Sequence, residues 1–122
     1  MMKKVTIKGL WRIIKSYRRT GGSHIGDYRA TYNQMVKKFG RPETGSGDGK
    51  ISTSWTFVNT ESGSYVDFYD YKETDLYSSS KPTVRQFRRT YANKKFDWHI
   101  GSNDEQFAKL WLKNKKLRLL KR

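Results

Sequence analysis

Cysteine is absent from this chain, which excludes disulfides and thiolate-held metal. Histidine occurs only twice, a count that speaks against an all-protein transition-metal site, so neither a metal nor a cofactor is expected. No apolar run approaches the roughly 18 residues of a membrane span, and the N-terminal MMKKVTIKGLW lacks the apolar region of a secretory signal. The expectation is a cytoplasmic protein with no membrane partner. Hydrophobic residues make up only 34% of the 122 positions, enough for one domain with a modest core.

Acidic residues are also scarce, 11 against 26 Lys and Arg, for a net charge of +15. The imbalance is uneven. Residues 1–50 hold twelve cations and three acids, and residues 81–122 hold thirteen and three, whereas residues 51–80 hold one and five. Such charge opposes self-association and favours polyanionic partners: nucleic acid, a ribonucleoprotein or phosphorylated small molecules. Aromatic residues are plentiful at 15%, so the core should be built from large rings.

The clearest pattern is Ile51 to Lys72, ISTSWTFVNTESGSYVDFYDYK, where two alternating segments flank a run of turn residues. It reads as a β-hairpin with strands over 51–58 and 65–72. Placing both apolar sets on one face sets Trp55 opposite Phe68 and Phe57 opposite Val66, with a loop of about four residues. The other face gathers Ser52, Ser54, Thr56 and Val58 with Tyr65, Asp67, Tyr69 and Tyr71. A core has no need of such a polar, aromatic surface, and it is a candidate ligand face. Residues 95–101, KFDWHIG, alternate again and predict a third strand, with Phe96, Trp98 and Ile100 inward and Asp97 and His99 on the candidate face.

Helices are expected around this sheet. Residues 7–19 read as a basic N-terminal helix from an N-cap at Thr6, with Leu10, Ile14 and Tyr17 on one face and Lys8, Arg12, Lys15 and Arg19 at i, i+4, i+7 and i+11 on another. Residues 21–26 read as a flexible connector. Asp27 then caps a helix over 28–39 whose Tyr28, Tyr32, Met35, Val36 and Phe39 face the core, with Gly40 and Pro42 ending it. The glycine-rich link 43–49 lacks the Lys-Ser/Thr ending of a phosphate-cradling loop and reads as a mobile loop. Around Phe87 and Tyr91, Arg85, Arg88 and Arg89 suit a phosphate-contacting surface or equally a short amphipathic helix. Ser102 to Glu105 reads as a capping box starting a helix over 103–113, and 113–122 forms a basic tail, frayed or ordering on contact with a partner. The fold class is therefore α+β, a small antiparallel sheet of about three strands packed against flanking helices, in one domain spanning 1–122.

The order of a helix ending KKFGRP, a strand with STSWTF, a strand with VDFYDYK, a strand with FDWHIG and a capped helix resembles small bacteriophage-encoded proteins in which a YDYK-like strand precedes a WHIG strand. The likeness covers roughly residues 28–112. It implies a phage or prophage origin, action inside a bacterial host cell, and an anti-defence role of the anti-CRISPR kind.

Two readings compete with simple binding. His24-Ile25-Gly26 and His99-Ile100-Gly101 invite a small phosphodiesterase in which two histidines act as acid and base. His24 falls in a predicted connector, however, and no acid cluster suggests a metal-dependent nuclease. The tyrosine face of Tyr65, Tyr69 and Tyr71, with His99, suits sequestration of a nucleotide signal by base stacking. The leading expectation is a non-enzymatic protein that binds nucleic acid or a host ribonucleoprotein through a strongly basic surface and thereby inhibits a host defence system, with Lys8, Arg12, Lys15, Arg19, Arg85, Arg88 and Arg89 as phosphate contacts and no catalytic residues.

Overall fold

A computed structural model describes residues 4–6, 10–13, 22–44, 49–59 and 62–120. In chain order these form β1 (Lys4–Thr6), β2 (Leu10–Ile13), β3 (Ser23–Ala30), α1 (Tyr32–Phe39), β4 (Glu43–Thr44), β5 (Thr53–Asn59), β6 (Tyr65–Tyr69), α2 (Val84–Thr90), β7 (Phe96–Ser102) and α3 (Glu105–Asn114). The class is α+β, as expected. The seven strands make one sheet in the order β1-β2-β5-β6-β7-β3, with β4 alongside β5, and every pairing is antiparallel.

The hairpin β5–β6 lies at the centre with the predicted register: Trp55 faces Phe68 and Phe57 faces Val66. Its turn is closed by the Asn59 N–H donating to Ser64 O at 2.8 Å, and Gly63 adopts φ 77° there, which a side chain would oppose. On one face of the sheet, Trp55, Phe57, Phe68, Trp98 and Ile100 meet Met35 and Phe39 of α1, Phe87 of α2, and Ala108, Trp111 and Leu112 of α3. The rings contact one another directly. Trp55 and Trp98 meet edge to face at 5.2 Å, Phe57 and Trp111 lie 4.6 Å apart, and Phe39 stacks on Phe68 at 5.0 Å. Two buried indoles are satisfied, Trp55 Nε1 donating to Gly40 O and Trp98 Nε1 to Ala30 O, as burial of a polar N–H demands.

Helix boundaries follow side-chain caps that compete with the expected ones. Thr31 and Gln34 form a reciprocal capping box at α1, and Thr83 and Gln86 form another at α2. The helix predicted over 28–39 therefore starts only at Tyr32, and Asp27 is not its cap. Asp104, rather than Ser102, caps α3 through the Phe107 N–H. Ser102 instead ends β7, its hydroxyl bonded to Tyr65 O. Beyond α3, Leu117 N–H donates to Leu112 O and Lys116 N–H to Lys113 O, with Lys116 at φ 58°. This is the Schellman ending, with lysine where glycine is usual.

Two further expectations are corrected. The basic helix predicted over 7–19 is not found where residues are described: Leu10–Ile13 is a strand that pairs with β5 on one side and β1 on the other. Sheet pairing at Leu10–Ile13 outweighs the helical charge periodicity read there. The basic tail predicted over 113–122 does not begin as a loose segment. Leu117 is buried, and Leu120 exchanges backbone hydrogen bonds with Asp27 at 2.6 and 2.7 Å, covering the open edge of β3.

Candidate functional site

The strand β3 is where the structure departs most from the predicted connector, and the chemistry gathers around it. It pairs with β7 along its whole length, with a bulge between His24 and Gly26. Along a regular strand His24 and Asp27, three residues apart, would point to opposite faces. The extra residue at Ile25 restores them to one face. Asp27 lies directly opposite His99, and His24 opposite Gly101, so the two histidines become diagonal neighbours. Their rings stack at 4.5 Å, inclined by 27°. His24 Nε2 is 2.9 Å from Asp27 Oδ1, and His99 Nδ1 is 3.9 Å from the same oxygen. Asp27 is only 4% exposed. Tyr69 and Tyr71 extend the aromatic group, 5.4 and 5.9 Å from the His99 ring, and the Lys72 ammonium sits over both Tyr71 and Tyr77.

A cavity of about 300 Å³ opens beside His24, walled by Tyr65, Asp67, Tyr69 and Tyr71. The backbone comes close here, since a Cβ at Gly101 would lie 2.6 Å from Asp67 Oδ1. The polar face predicted as an open surface is mostly closed: Ser52, Ser54, Thr56, Val58, Tyr65 and Asp67 are all buried. Of the four predicted ligand residues, Tyr69, Tyr71 and His99 reach its accessible end, whereas Tyr65 contributes from a buried position. Nearby, buried Asp70 accepts from Ser52 N, Thr53 N and the Ser52 hydroxyl. Desolvation pushes its carboxyl above the usual carboxylate range despite these bonds.

On the other side of His99 lies a basic groove. One depression, about 440 Å³, is lined by Tyr28, Arg29, Gln34, Lys37, Lys38 and Lys95. A second, about 330 Å³, adds Lys94, Tyr91, Phe96 and His99 and shares Arg29 and Lys95 with the first. Five cations and two tyrosines thus line the two depressions, which share Arg29 and Lys95, against two carboxylates, Glu73 and Asp97. Asp97 holds Arg29 through two bonds of 2.7 and 3.3 Å, and its hydrogen bond and charge raise the guanidinium pKa above the ordinary value. Lys95 donates to Gln34 Oε1 at 3.0 Å, and Lys94 lies over the Tyr91 ring.

The predicted phosphate contacts fare unequally. Lys8, Lys15 and Arg19 lie outside the described residues, and Arg12 belongs to β2. Arg85 and Arg89 are exposed on α2. Arg88 turns inward, donating to Thr53 Oγ1 at 3.0 Å with its guanidinium 5.5 Å from the Tyr32 ring, so it braces the start of β5 rather than a phosphate. The groove cations were signalled by a tripeptide that occurs twice, Lys37-Lys38-Phe39 and Lys94-Lys95-Phe96, in which the phenylalanine packs in or against the core beside an exposed lysine pair. Compared with known protein families, curated sequences and solved structures, the chain has no match.

Proposed function

We propose that this is a non-enzymatic binding protein that takes up the phosphate backbone of a nucleic acid, free or within a nucleoprotein complex, along the groove between α1 and the β3–β7 edge. What carries the reading is the pair of depressions that share Arg29 and Lys95 and are lined besides by Lys37, Lys38 and Lys94 together with Tyr28 and Tyr91. Cations spaced along a groove track phosphates, and aromatic rings at its walls offer stacking to unpaired bases without sequence preference. The resemblance of the YDYK and WHIG strands to small phage proteins supports a host nucleoprotein as the target and inhibition of a defence complex, such as a CRISPR effector, as the outcome. The test is fluorescence anisotropy of labelled single-stranded and duplex oligonucleotides against the full chain over a series of salt concentrations. Binding that weakens steeply with salt and ignores sequence is expected; affinity indifferent to salt would refute it.

A second reading has one observation in its favour. The stacked histidines stand at the end of the groove, His99 lining its second depression, where a bound phosphodiester would meet an acid–base pair. Cleavage of bound RNA that disappears in both His24→Ala and His99→Ala, with binding intact, would select it over the non-enzymatic reading.

A further inference from the structure

We propose that His24, Asp27 and His99 form a three-ligand site for a divalent transition-metal ion of the zinc class. One ring nitrogen of each imidazole and one Asp27 carboxylate oxygen all lie within 4.8 Å of one another. Two donors held by one such ion at about 2.0–2.2 Å sit roughly 3.4 Å apart in a tetrahedron. The observed separations of 2.9 and 3.9 Å to Asp27 Oδ1 bracket that spacing. The His24 side chain is one-third exposed and the His99 side chain about one-fifth exposed.

Three independent features of the fold converge on this arrangement. The bulge at Ile25 turns His24 onto the face of Asp27. The cross-strand pairing sets His99 opposite Asp27. The Leu120 backbone clamps Asp27 from the other side, and Leu119 packs where a Cβ on Gly26 would stand. The chain has only two histidines, 75 residues apart in sequence, and both meet at one buried carboxylate. Two nitrogen donors and one oxygen suit zinc, cobalt, nickel or copper, whereas magnesium and calcium prefer oxygen alone. The ion would lie between the tyrosine cavity that His24 lines and the basic depression that His99 lines. A three-ligand set leaves a fourth position for water or a phosphate oxygen.

The inference does not depend on the groove binding nucleic acid, and its test uses the metal alone. Chelator-treated full-length protein is titrated with Co²⁺ and read by visible absorption, then with Zn²⁺ in competition, and the two imidazole signals are followed by NMR. One ion per chain is expected, with the intense bands of four- or five-coordinate cobalt, displacement by zinc, and movement of both imidazole signals. His24→Ala and His99→Ala should each weaken binding by more than about tenfold. Because Asp27→Asn risks misfolding at a buried position, the partly exposed His24 provides the variant whose fold can be checked. Binding that leaves either imidazole signal unmoved, retains only the pale spectrum of aqueous cobalt, or survives His24→Ala unchanged would overturn the proposal.

Discussion

Truncating Trp55 tests whether the hairpin register really organises the core. The indole is 1% exposed, meets Trp98 edge to face at 5.2 Å and Tyr32 at 6.2 Å, and donates Nε1–H to Gly40 O at 2.8 Å. Replacing a buried tryptophan with alanine removes transfer free energy and leaves a cavity, together about 3–5 kcal/mol. The edge-to-face contact is worth about 0.5–1.5 kcal/mol beyond its area, and the indole hydrogen bond about 1 kcal/mol net. Trp55→Phe keeps most of the packing and loses the hydrogen bond, so it should cost about 1–2 kcal/mol, below the alanine penalty. Urea denaturation followed by far-ultraviolet circular dichroism gives both values, and a cycle with Trp98→Phe isolates the ring–ring coupling. Equal losses for Phe and Ala at position 55, or a loss below about 1 kcal/mol for Ala, would refute the packing and place Trp55 at a partly solvated position.

Other consequences can be checked in the same way. Lys116→Gly should raise stability by about 0.5–1 kcal/mol in a thermal or urea melt, because lysine occupies a left-handed conformation that glycine adopts without strain. Burial raises the Asp70 carboxyl above its ordinary pKa, so the folded chain holds that proton more tightly than the unfolded one. Stability from this group should therefore fall as pH rises from about 3.9 through the raised value. Asp70→Asn, whose amide oxygen can keep both N–H bonds, should flatten that portion of the stability–pH curve and be no less stable at pH 7; an unchanged curve would mean Asp70 does not titrate there. Gly101→Val places a side chain against Asp67 and Tyr69 and should cost about 1–3 kcal/mol by overpacking, read from a urea midpoint.

What was legible in the sequence is what depended on alternation and ring size. Trp55, Phe57, Val66, Phe68 and Trp98 take their predicted face because strand periodicity leaves them nowhere else to bury. The misreadings arise where two local signals competed. Asp27 precedes a helical pattern and reads as a cap, yet Thr31 with Gln34 makes the better box, and Asp27 is freed to lie opposite His99. Nothing local in Gly22 to Gly26 signals a strand, since its pairing partner β7 lies some 75 residues away, and the bulge that aligns His24 with Asp27 is a property of that pairing. Arg88 could not be told from Arg85 and Arg89 by composition, because what separates them is which side of α2 faces Thr53.

The measurement that bears most directly on the proposed function compares salt slopes. Lys37, Lys38, Lys94 and Lys95 are replaced together by Gln, and a control replaces the exposed Arg85 and Arg89. With about four phosphates contacted by the groove lysines, the slope of log affinity against log salt should shrink by roughly 3–4 units in the quadruple variant, while the control keeps most of its slope. A quadruple variant that binds with the wild-type slope and affinity would contradict the groove as the nucleic-acid surface.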